Sequence, residues 1–221
     1  MARFARLVVP EYPHHITQRG VRSMDVFADN HDRLTYLQIM AEESAASGVT
    51  ILAWCLMTNH VHLIAVPEKE ESLARAIGES HRRYTRMKNF REGVRGYLFQ
   101  GRFGSCVLDQ QHLLAAARYV ERNPVAAGMS SSPVDYPWSS ARYHCGISDQ
   151  DSLITEPLLP AMVDNWTQFL QTTDEDQNRL ILKKTKTGRP LGGAEFIKQM
   201  EHLTGRVLKM KAPGRPGIER K

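Results

Sequence analysis

His60 and His62 are separated only by Val61 in the run TNHVHLIAVP. Side chains alternate along a strand, so both imidazoles project from one face, close enough to share a divalent ion, while Val61 points the other way. A second pair, Tyr119 and Asn123, lies four residues apart in ARYVERNPV. On a helix that spacing puts both side chains on one face. A phenol and an amide oxygen are thus offered together, and a His-His-Asn set of mixed nitrogen and oxygen donors accepts Mg2+ or Mn2+. The phenol is a weak nucleophile at its ordinary pKa of about 10, so it needs a metal or base beside it. Each pair also has a plain structural reading: paired histidines on a strand, and a tyrosine near a helix end, commonly serve packing.

A cationic stretch, His81-Arg82-Arg83-Tyr84-Thr85-Arg86-Met87-Lys88, surrounds one aromatic residue. Arg82, Arg83, Arg86 and Lys88 are candidates for phosphate contacts and Tyr84 for stacking on a base; a solvated helix face is the alternative. Tyr84 is also a rival nucleophile, but four residues on it meets Lys88 instead of an oxygen ligand. Arg19, Arg22 and Arg102 are further phosphate candidates.

Several elements must position these groups. Tyr12 to Gln18 reads as a first strand, and Asn30 is placed to cap a helix with Leu34, Leu37 and Met40 on one face, ending near Gly48. Val49 to Met57 and then VHLIAVP read as paired strands around a tight Thr58-Asn59 break. A basic amphipathic helix follows from about Glu71 to Phe90, then a Gly93 and Gly96 loop and a possible strand over YLFQGRFGSCVLD. The next helix, from about Gln110 to Arg122, is expected to stop at Asn123-Pro124. This order suits an α+β, ferredoxin-like antiparallel sheet with helices mainly on one face.

Residues 1–145 form the expected main domain, and residues 146–221 a mostly helical or flexible basic C-terminal extension. Short helices are expected over Trp138 to His144, Leu158 to Leu170 and Ala194 to Leu203. The triplets Gly188-Arg189-Pro190 and Gly214-Arg215-Pro216 share the core of the minor-groove AT hook but have Thr187 and Pro213 where its preceding arginine stands. A flexible basic tail is the preferred reading.

Composition sets the outer bounds. The 221 residues, 42% hydrophobic, suffice for one substantial core, and 29 Lys and Arg against 24 Asp and Glu mildly favour polyanionic partners. Cys55, Cys106 and Cys145 are odd in number, far apart and form no C-x-x-C pair, so neither a disulfide framework nor a zinc knuckle is indicated and a reducing cytosol fits best. Ser44 to Pro67 lacks Asp, Glu, Lys and Arg, but Thr58, Asn59, His60 and His62 interrupt it, so a membrane span is rejected.

Taken in order, HHITQRG, WCLMTNHVHLIAVP, GRF, RYVERNPVAAG and YPWSSARYH make the chain resemble the REP-associated tyrosine transposases, relatives of single-tyrosine insertion-sequence transposases. The likeness runs from about His14 to His144. It implies an HUH nuclease core of ferredoxin-like fold in which His60 and His62 hold a divalent metal, Asn123 is the third ligand and Tyr119 the nucleophile. Tyr84 then becomes a DNA-contact candidate. The resemblance further implies cleavage and rejoining of single-stranded DNA beside palindromic, REP-like hairpins through a 5′-phosphotyrosine. A monomer or homodimer in the cytoplasm, associated with the nucleoid, is expected, with no membrane partner.

Two rivals remain. A (β/α)₈ hydrolase typically needs about 250 residues and eight strand-helix units, more than this chain holds. A non-catalytic single-stranded nucleic-acid-binding module, with the histidines and tyrosine merely packing, differs from the nuclease by lacking metal-dependent nicking.

Overall fold

The computed structural model describes residues 5–208. Strands β1 (His14–Arg19), β2 (Val49–Leu56), β3 (His60–Pro67) and β4 (Gly104–Val107) form one antiparallel sheet in the order β2-β3-β1-β4. This is the ferredoxin-like plan expected from the sequence. Helix α1 (Asn30–Ser47) separates β1 from β2, α2 (Ser72–Glu92) separates β3 from β4, and α3 (Gln110–Ala126) follows β4. Beyond them lie α4 (Ala141–His144), α5 (Trp166–Phe169), α6 (Glu175–Thr187) and α7 (Ala194–Thr204).

Strand alternation sorts the core into two layers. Ile16, Trp54, Leu56, Val61 and Leu63 point to one face, where they meet Tyr36, Leu37 and Met40 of α1 and Leu73, Ile77 and Tyr84 of α2. Ala53, Cys55, Ile64 and Cys106 point to the other and meet Ala116 and Val120 of α3 and Ile181 of α6. The two longest helices share one face as expected, but α3 and α6 cover the second, so the sheet is packed on both sides. The extension adds Trp166, Leu170, Ile181 and Leu191 to that second layer.

Both sheet edges are covered, which removes open strand templates. The backbone N–H of Leu56 donates to Trp138 O at 2.9 Å and that of Ser140 to Trp54 O at 3.0 Å, so YPWSS lies along β2. On the opposite edge Leu191 N–H donates to Val107 O at 2.9 Å. Buried Glu121 ties the first of these segments to α3. It accepts from Ser140 Oγ at 2.5 Å, His144 Nδ1 at 2.5 Å and Trp166 Nε1 at 2.8 Å.

Several local expectations are corrected. Asp29, not Asn30, caps α1, accepting from Asp32 N–H at 2.8 Å, and Leu34 is exposed while Tyr36 takes the core position. Helix α3 passes through Pro124 to Ala126. The X-Pro rule is a bias, and near a C-terminus the lost N–H costs one bond; Ala127 N–H still reaches Asn123 O at 3.0 Å and Met129 N–H reaches Pro124 O at 2.8 Å. The strand expected from Tyr97 contracts to Gly104–Val107, because Gly96 and Gly101 adopt φ of 121° and 62°. The helix expected over Leu158 to Leu170 is only a 3-10 turn, Pro160–Met162, and four-residue α5, whereas α6 has no counterpart in the sequence reading.

Arg189 of the first Gly-Arg-Pro triplet is half-buried and donates to Leu208 O, and Pro190 is buried, so this triplet is folded against the protein. Gly214-Arg215-Pro216 lies outside the described residues. The uncharged Ser44 to Pro67 stretch is chiefly the β2-β3 hairpin, and no helix among the described residues is long and apolar enough to cross a membrane.

Candidate active site

His60 opens β3 directly after the Thr58-Asn59 turn, and its orientation is fixed from outside the strand. Asn59 Oδ1 lies 2.6 Å from His60 Nδ1, while Asn59 Nδ2 donates to Ser23 O at 3.2 Å. The second bond assigns the amide, so the oxygen faces the imidazole. An amide oxygen only accepts; His60 therefore carries its proton on Nδ1 and leaves Nε2 bare. The Ser23 carbonyl is presented by a turn in which Arg22 and Ser23 have φ of 53° and 60°. Left-handed backbone costs roughly 1–2 kcal/mol per non-glycine residue.

His62, two residues on, is buried, and β1 places His15 beside it. The rings of His15 and His62 lie 5.2 Å apart at 9°, with His15 Nε2 3.0 Å from His62 Nδ1. From α3, Tyr119 presents its ring edge-on to both, 5.4 Å from His62 and 5.8 Å from His15. Asn123 follows one turn later and borders the same cleft, of about 810 Å³, as His60, His62 and Tyr119. Arg19, Arg102 and Lys186 also line it, with no Asp or Glu among the described lining residues.

Burial without a counter-charge sets the protonation. It holds His15 down at about 3 and His60 at about 4. His62 lies well below 6.5 through burial first, with the neighbouring His15, His60 and Arg19 acting in the same direction. Neutral imidazoles are ligand-competent. Burial raises the Tyr119 phenol above its ordinary value, partly offset by Asn123. Among the described residues no three His, Cys, Asp or Glu side chains form a metal-binding group. An amide would have to complete any set built on the two histidines.

The cationic stretch of α2 divides. Arg86 is exposed and, with Arg82, borders a neighbouring cleft of about 550 Å³ beside stacked His81 and Phe99, 4.0 Å apart; Arg102 borders both clefts. Arg22 is exposed on the turn before α1. Arg82 lies 2.6 Å from Glu79, and Arg83 is held by Glu42 and Glu43, each at 2.7 Å. Tyr84 and Lys88 are corrected outright. Tyr84 is fully buried with its hydroxyl on Val26 O at 2.9 Å, and buried Lys88 is paired with Asp32 at 2.8 Å and Glu92 at 2.7 Å. Neither can meet DNA without unfolding its surroundings.

His15 and the α6 residues Thr185 and Lys186 were missed by the sequence reading. His15 had a signal, since it alternates with Thr17 and Arg19 on a strand that could neighbour the H-x-H strand. Thr185 had none.

Residues 9–123, more than half of the chain, match the family model for IS200-like transposases. The chain belongs to the IS200-like transposase family. The matched span ends at Asn123 and so takes in both histidines and Tyr119 of this IS200-like transposase. In fold, it is similar to a solved REP-associated tyrosine transposase bound to a REP hairpin, with a TM-score of 0.57 and 17% identity over 71% of this chain and 92% of that one. No curated protein matches the chain.

Proposed function

We propose that this IS200-like transposase cuts and rejoins single-stranded DNA beside hairpins of the REP type, with Tyr119 as nucleophile. The observation that carries the reading is the meeting of Tyr119, His60, His62 and Asn123 in one cleft that, among the described residues, is lined by three cations and no carboxylate. Such a lining suits a phosphodiester, and the family and the fold of its relative agree with it.

The residues fit a divalent cation. His60 Nε2 is bare, His62 is neutral, and the side-chain oxygen of Asn123 supplies a hard donor. Mg2+ or Mn2+ bound there would place positive charge at the scissile phosphate. Because these donors are all uncharged, the DNA phosphate would have to supply the anionic partner, so ion and DNA would bind cooperatively.

In the reaction the phenol of Tyr119 gives up its proton as its oxygen attacks phosphorus, the bond from phosphorus to the 3′-oxygen breaks, and the departing 3′-oxygen takes up a proton, so none is gained or lost overall. The products are a 5′-phosphotyrosine and a free 3′-hydroxyl. Attack by another 3′-hydroxyl on the same phosphorus restores a phosphodiester and releases the phenol, so joining needs no ATP. Arg19, Arg102 and Lys186 offset charge along the strand. Arg22, Arg82 and Arg86 are candidates for contacts farther along it.

The test is incubation of wild type, Tyr119→Phe and Tyr84→Phe with labelled hairpin oligonucleotides and Mn2+, resolved on a denaturing gel. Wild type and Tyr84→Phe are expected to give a metal-dependent covalent adduct, and Tyr119→Phe none. Equal DNA binding by all three without cleavage would replace this reading with the non-catalytic binding module.

A further inference from the structure

Thr185 of α6 stands 2.7 Å from His15 Nδ1 through its Oγ1, and both side chains are buried. The same oxygen is 2.9 Å from the carbonyl of Ile181 and 3.3 Å from Cys106 Sγ. A carbonyl only accepts, so the single hydroxyl hydrogen of Thr185 goes to Ile181 O. The short contact with His15 is then made by a hydrogen on Nδ1. An uncharged imidazole has one N–H, which leaves His15 Nε2 as an acceptor, 3.0 Å from His62 Nδ1. His62 must carry its hydrogen on Nδ1, and its Nε2 is bare.

We propose that Thr185 acts as a positioning residue which, through His15, selects the His62 tautomer able to bind a cation at Nε2. The inference rests on the proposed metal role of His62. The reverse hydrogen order would put the proton on His62 Nε2 and close it to any cation. His60 reaches the same state through Asn59, so one ligand is oriented by the β2-β3 turn and the other by a residue 123 positions away in the extension. The α6 segment is thereby part of the site's construction, and outer partners of this kind typically change metal affinity by about 10- to 100-fold.

The experiment uses full-length, metal-free protein with 15N-labelled histidine and reads the ring nitrogens by long-range proton–nitrogen correlation. Wild type is expected to show His62 protonated at Nδ1 with Nε2 bare. Thr185→Val, which keeps the side-chain shape but removes the acceptor, is expected to give a mixed tautomer population and about tenfold or greater loss of Mn2+ affinity by paramagnetic resonance. Thr185→Ser restores both. A wild-type His62 protonated at Nε2 overturns the proposal without recourse to any variant, as does a folded Thr185→Val protein with unchanged tautomer and Mn2+ affinity. A tautomer shift with no Mn2+ binding to either protein would support the relay and retire the metal reading.

Discussion

On the α1/α2 face of the sheet, Lys88 enters the interior between Asp32 and Glu92, and Arg91 takes the other oxygen of Asp32 at 2.5 Å. On the α3/α6 face, His15, His62 and Tyr119 are packed together, and no carboxylate of the described residues lines the cleft that His62 and Tyr119 border. The first arrangement consumes its charges within the fold and joins two helices. The second keeps its groups neutral and leaves a lone pair and a hydroxyl toward a cleft. Burial thus has opposite meanings at the two clusters: a closed ion network holds structure, whereas under-used neutral donors are free for chemistry.

Removing a charge from the closed network should have the largest effect. Asp32→Asn leaves Lys88 buried against only Glu92 and is expected to lower unfolding free energy by about 3–5 kcal/mol in denaturant titration. Cleavage per folded molecule should hardly change; a stability loss near zero would mean that the network is not a structural tie. On the other face, His62→Ala is expected to reduce hairpin cleavage by about 10²- to 10³-fold while hairpin binding persists, as measured by single-turnover kinetics and electrophoretic shift. Parallel loss of binding and cutting would reduce the histidine to a packing role.

The smallest effect sharpens the contrast among arginines. Arg19→Ala and Arg102→Ala should each lower the slope of log affinity against log salt by about 0.7 for single-stranded DNA. Arg83→Ala should leave the slope unchanged, because Glu42 and Glu43 already occupy its guanidinium. Equal slopes in all three variants would place the DNA path elsewhere.

The chemistry that was legible in the sequence was local. H-x-H needs only strand alternation, and Tyr119 with Asn123 needs only one helical turn, so their grouping by face follows from spacing alone. The order of elements along the chain was legible because hydrophobic period and breaks located the elements of the α+β core. What failed depended on partners distant in sequence. Lys88 reads as a solvated cation until Asp32, 56 residues away, is brought to it; Leu73, Ile77 and Tyr84 on the same helix mark the buried face that it shares. His15 depends on the β1-β3 register, in which Thr17 faces His62. Thr185 sits in a polar run, EDQNRLILKKTKT, whose cover of β4 and β1 leaves only Ile181 and Thr185 buried.

The central claim is that Tyr119, among all the tyrosines, attacks the DNA. It is tested most directly by trapping the Mn2+-dependent adduct of wild-type protein with a hairpin oligonucleotide, digesting with trypsin and nuclease, and locating the nucleotide by tandem mass spectrometry. The account predicts modification of Tyr119, on the peptide that follows Arg118. Modification of another tyrosine, such as exposed Tyr97, or recovery of every tyrosine unmodified from a reaction that cut its DNA, would contradict it.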